Sequence, residues 1–112
     1  MEGAIRGTQW KLATADGRKW PVGHERDVTL EFGARRLGGW NGCNSYGADW
    51  RMPEGRRLEV GPVQATSMGC SDEGAWVQQL LWEVLRASPM VTFPDKELRL
   101  KAPAGVLVFS KA

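Results

Sequence analysis

The sequence predicts an α+β domain in which a curled, mostly antiparallel sheet is covered or plugged by a single helix inserted before the last strands. Three observations point there. Apolar residues alternate with a period of two in several short segments, one segment alone carries a helical period, and turn-forming residues recur about every 8 to 12 residues.

Taken in order, Trp10 and Leu12 read as the inward residues of a first strand, closed by an Asp16-Gly17 turn. The polar segment from Gly17 to Asp27, with Pro21 and Gly23, reads as a loop. Val28, Leu30 and Phe32 then alternate with Thr29 and Glu31, the pattern of a strand with one face in a core and the other in water. Tyr46, Ala48 and Trp50 alternate with Gly47 and Asp49, and Leu58 and Val60 flank Glu59 after a Pro53-Glu54-Gly55 turn, which suggests a hairpin. Between Ser71 and Ala87 the period changes: Trp76, Val77, Leu80, Leu81, Val84 and Leu85 recur at helical spacing. Ser71 or Asp72 caps that helix, Asp72 and Glu73 suit its positive end, and Pro89 stops it. Three short strands follow, Met90 to Phe93, Glu97 to Lys101 and Val106 to Ser110, and their short Pro-containing connections favour antiparallel neighbours.

A chain of 112 residues supports one domain, spanning residues 1–112, with a single core. A hydrophobic share of 42% against 25% charged is ordinary for a globular protein and excludes disorder and fibrous repeats. The net charge of +2 is small, and the basic pairs Arg35-Arg36 and Arg56-Arg57 are interleaved with acids, so nucleic acid is not an expected partner. The longest apolar run, Val106 to Phe109, suits a strand and is far too short for a membrane span. Met1 to Trp10 has no secretory-signal pattern, which leaves a cytosolic chain or one whose leader has been removed.

Chemistry-bearing patterns are few. Gly38-Gly39-Trp40-Asn41-Gly42-Cys43-Asn44-Ser45-Tyr46-Gly47 is rich in residues that permit positive φ or bond to nearby backbone, and it lacks the Gly-Lys-Ser/Thr of a phosphate loop and the dinucleotide fingerprint. It reads as a tight bend or bulge between strands. Two cysteines and the single His24 exclude a four-ligand Cys/His zinc site, and no other cofactor is expected. His24 reads as a solvated loop residue. Nothing resembles a nucleophile elbow or an acid/base pair, so no enzymatic activity is expected. Cys43 and Cys70 fall at element boundaries, where they would form either a disulfide, implying an oxidising compartment, or two buried thiols; a catalytic dithiol usually has closer spacing. Six tryptophans are many for this length. Trp10, Trp50 and Trp76 are assigned to the core. Trp82, about 240° around the helix from Trp76, is flanking or exposed. Trp20 and Trp40 are the aromatic candidates for a recognition surface, with Asn41, Asn44 and Tyr46 beside them.

Taken together, Trp10-x-Leu12, Val28 to Phe32, Gly39-Trp-Asn-Gly-Cys-Asn-Ser-Tyr46, Leu58-Glu-Val-Gly61, Ala65-Thr-Ser-Met-Gly-Cys70, the helix, and Leu98-Arg-Leu100 with Val106 to Phe109 make the chain resemble the META domain, or HslJ-like, family. The resemblance covers nearly the whole chain; Ser67 and Gly69 stand where members often carry Arg and Ala. It implies a strongly bent half-barrel with one helix, and a Cys43–Cys70 disulfide at the family's paired cysteine positions. It further implies a bacterial envelope protein of the periplasm, often a lipoprotein, tied to heat shock and stress response, without enzymatic activity and with its leader removed. The expected function is a monomeric domain that binds a protein partner or a small apolar ligand through the rim of the half-barrel. The alternative is a small thiol-redox protein or enzyme using Cys43 and Cys70, placed in the cytoplasm if they are reduced.

Overall fold

Alternation decides the first strand: in β1 (Gln9–Ala15) Trp10 and Leu12 are buried while Gln9 and Lys11 face out. The structure, a computed structural model, describes residues 2–21, 23, 25–67 and 69–112, and of Asp95 only the backbone. At Ala13 the pairing register of β1 slips, so that Ala15 rejoins the buried set. A bulge of this kind sharpens local twist and helps bend a sheet. Asp16 and Gly17, at φ 49° and 83°, turn the chain into β2 (Arg18–Lys19), a short strand inside the segment the sequence assigned to a loop.

β3 (Thr29–Phe32), β4 (Arg36–Trp40) and β5 (Ser45–Arg51) continue as a meander, followed by β6 (Glu59–Val60) and β7 (Gln64–Ala65) on β5. The helix α2 (Asp72–Arg86) follows, with Ser71 as its N-cap. After it come β8 (Met90–Thr92), a 3-10 turn at Pro94–Lys96, β9 (Glu97–Ala102) and β10 (Gly105–Lys111). All pairings are antiparallel, in the order β6-β5-β4-β3-β1-β10-β9-β8. The fold is therefore α+β, a strongly curled half-barrel with one main helix.

The curl brings the two ends of the strand path together. Leu58 N–H donates to Pro89 O at 2.9 Å, Val91 N–H donates to Arg56 O at 2.7 Å, and Arg57 and Met90 form an isolated bridge. The concave side is filled by α2, which buries Val77, Leu80, Leu81, Val84 and Leu85 in one core with Leu98, Leu100, Leu107, Phe109, Leu30 and Trp10 of the sheet. At roughly 1.5 to 3 kcal/mol for each large apolar side chain buried, this layer dominates the favourable side of folding.

Other elements depart from expectation as well. The short α1 (Glu2–Ile5) was not predicted; it buries Ile5, and Glu2 ties it to the sheet by accepting from Met52 N–H at 2.8 Å. Gly38 and Gly39 lie within β4 rather than in a bend. A Cβ on Gly39, whose φ is +153°, would come within 2.5 Å of Thr29 O and Oγ1, because β3 crosses closely there and Thr29 Oγ1 accepts from Trp40 N–H at 2.9 Å. The bend itself is confined to residues 41–44.

Candidate functional site

The turn joining β4 to β5 is built on one side chain. Asn41 Oδ1 accepts from Cys43 N–H at 3.0 Å and from Asn44 N–H at 2.7 Å, while Asn41 N–H donates to Asn44 O at 2.9 Å. An Asn can do this because its short amide reaches backbone two and three residues on. Gly42 holds φ at +101° and lies against the first turns of α2: a Cβ there would collide with Val77 Cγ1 and come within 3.3 Å of Gly74 O.

Asn44 links the turn to two other segments, donating from Nδ2 to Gln78 Oε1 at 2.9 Å and accepting at Oδ1 from Thr66 Oγ1 at 3.0 Å. Thr66 in turn accepts from Ser45 N–H and donates its own N–H to Ser45 O. Cys43 and Cys70 form a disulfide with their Cα atoms 5.1 Å apart. The Gly-Cys-Asn and Thr-x-Met-x-Cys motifs are thus joined by sulfur and by the Asn44–Thr66 hydrogen bond. One residue beyond Cys70, Ser71 Oγ accepts from Gly74 N–H at 3.0 Å and donates to Glu25 Oε1 at 3.1 Å. The Arg26 guanidinium lies 4.1 Å from the centre of the Trp40 ring. A cleft of about 260 Å³ opens here, lined by Glu25, Arg26, Trp40, Cys43, Cys70 and Ser71 among others.

Of the five residues assigned to a recognition surface, only Trp40 lines this cleft, and it is half-buried. Trp20 is a core residue, 4% exposed, with Nε1 donating to Arg26 O. Asn41 and Asn44 are buried because their amides hold the turn. Tyr46 is buried too; its hydroxyl donates to Thr29 O at 2.8 Å. Burial, reinforced by the charge of Glu31, pushes the Tyr46 phenol well above its ordinary pKa, so it stays a neutral donor. The recognition surface is therefore corrected: four of its members are internal. Trp76 is likewise only partly buried, with Arg18 stacked 4.1 Å from its ring centre, whereas Trp10 and Trp50 are core and Trp82 is exposed as expected. His24 lies outside the described residues. Thr29, Glu25, Arg26 and Gln78, which complete the site, carry no sequence signal of that role; Thr66 does, as part of the second cysteine motif.

The model of the META domain family matches residues 3–112. The chain belongs to the META domain family. The same fold is found in two proteins solved by NMR. One is 15% identical, with a TM-score of 0.86 over 99% of this chain and 94% of the other. The second, from Burkholderia xenovorans, is 22% identical, with a TM-score of 0.76 over 98% of this chain and 85% of the other. No curated protein matches the sequence. In this META domain the paired cysteines are a clamp: they lock the β4–β5 turn to the residue preceding the N-cap of α2. Such a bond persists in an oxidising compartment. Among the described residues no helix is long and apolar enough to cross a membrane.

Proposed function

We propose that this META domain is a non-enzymatic, stress-associated binding domain of the bacterial cell envelope, and that it recognises a protein partner through its outer surface. The observation that carries this reading is the use of the interior. Val77, Leu80, Leu81, Val84 and Leu85 of α2 occupy the concave side of the sheet, where a barrel of this kind would otherwise receive an apolar ligand. The polar groups of the cysteine turn favour a scaffold over a reaction centre, since Asn41, Asn44 and Thr66 bond chiefly to one another and to backbone. The disulfide supports placement in the envelope, and a lipid anchor on the full-length protein belongs to the same reading.

Two measurements test it. Mass spectrometry after alkylation of protein purified without reductant should find no free thiol; two readily alkylated thiols would overturn the envelope placement. Titration with phospholipid vesicles and with a hydrophobic probe such as 1-anilinonaphthalene-8-sulfonate should leave tryptophan emission without a saturable change. A saturable shift would transfer the function to an apolar ligand.

A further inference from the structure

The two sulfurs of the disulfide are not equivalent, and we propose that Cys70 is a modification site: a low-molecular-weight thiol attacks Sγ of Cys70, expels Cys43 and leaves the domain S-thiolated at Cys70. This rests on the Cys43–Cys70 bond alone and holds whether or not the partner reading does. Thiol–disulfide exchange is an in-line displacement, so the incoming thiolate approaches the attacked sulfur from the side opposite its partner, and access to that side selects the sulfur.

Cys43 is the less accessible of the two, although it reaches the cleft. The residue is 3% exposed, its N–H is held by Asn41 Oδ1, and the preceding Gly42 is packed so tightly on α2 that a single added carbon would strike Val77. Cys70 is the more accessible. Gly69, Cys70 and Ser71 are all exposed, and a Cβ on Gly69 would meet nothing within 4 Å. The two glycines that precede the two cysteines therefore report opposite surroundings. The cleft beside Cys70 also carries the Arg26 guanidinium, stacked on Trp40, a positive group that attracts a thiolate and the carboxylates of a peptide thiol such as glutathione. Glu25, the acid on that rim, has Oε1 engaged by the Ser71 hydroxyl.

In the step, a new S–S bond forms between the incoming sulfur and Cys70 as the Cys43–Cys70 bond breaks. The electron pair leaves on Cys43, which takes a proton from water. The incoming thiol is oxidised to the disulfide level and Cys43 is reduced to a thiol, so no further oxidant is needed. Cys43 remains in its buried turn, from which its thiolate can attack Cys70 again and release the adduct.

The test uses the oxidised wild-type chain with excess reduced glutathione, quenched in acid, alkylated and mapped by peptide mass spectrometry. Among singly modified molecules, glutathione on Cys70 with alkylated Cys43 should outnumber the reverse by about tenfold or more. Equal shares, an excess on Cys43, or no adduct at either sulfur would overturn the proposal. A second measurement guards against migration of the adduct: with 5,5′-dithiobis(2-nitrobenzoate), Cys70 in a Cys43→Ser chain should react at least about tenfold faster than Cys43 in a Cys70→Ser chain. Comparable rates would overturn it as well, and if either variant fails to fold the wild-type mapping decides alone.

Discussion

Gly42 and Asn41 together decide whether the cysteine turn can exist, and neither can be replaced cheaply. Gly42→Ala adds a carbon where Val77 and Gly74 already stand, at a φ that L side chains rarely adopt. It should cost roughly 2 to 4 kcal/mol, read as a lower urea midpoint by tryptophan emission. Gly69→Ala, in open space, should stay within about 0.5 kcal/mol of wild type in the same assay. Asn41→Ala leaves the N–H groups of Cys43 and Asn44 without their acceptor and should cost about 1 to 3 kcal/mol. At this scale the sequence disclosed the type of bonding but not its depth. Asn41 and Asn44 were legible as residues that bond nearby backbone. Their burial was not, because Thr66 and Gln78, which enclose Asn44, come from segments far away in the chain. Trp20 was misplaced for the same reason: a tryptophan before a proline in a polar stretch carries no period, and only the fold shows that it faces the core.

Among the elements, those with a strong period were legible and those without one were not. The helix announced itself through six apolar residues and a cap, and the observed α2 begins one residue after the Ser71 N-cap. β4 did not, since Gly38, Gly39 and the half-buried Trp40 leave Leu37 as its one buried side chain. The four-residue α1 is too short to show a period at all. Its attachment gives a pH prediction. The Met52 N–H holds the Glu2 carboxyl below its ordinary pKa against the opposing effect of burial, and the Arg6 guanidinium lowers it further. Because folding lowers this pKa, the tether is complete above the usual carboxylate range and is lost as pH falls through the lowered value. Protection of the Met52 amide, measured against its intrinsic exchange rate at each pH, should therefore fall on acidification, and Glu2→Gln should abolish that fall. Within α2 the two sides should separate cleanly: Leu81→Ala empties a buried site and should cost about 2 to 5 kcal/mol, whereas Trp82→Ala, at 41% exposure, should cost under about 1 kcal/mol in thermal unfolding.

For the molecule as a whole, the disulfide closes a loop spanning a sequence separation of 27. Its removal in a Cys43→Ala/Cys70→Ala chain should lower stability by roughly 3 to 4 kcal/mol in the chain-entropy account, seen as a lower Tm that added reductant no longer changes. The curled antiparallel sheet was legible from turn spacing, while its strand order was not, because alternation reveals faces and leaves neighbours open. That order has a consequence for biogenesis. β1 lies between β3 and β10, so the ladder at the middle of the sheet joins residues 9–15 to residues 105–111. A chain delivered N-terminus first, by a ribosome or through a membrane pore, presents one half of this ladder long before the other. Both cysteines emerge in between and can be oxidised while the sheet is still open down its centre. The domain thus completes itself only on the arrival of its last strand.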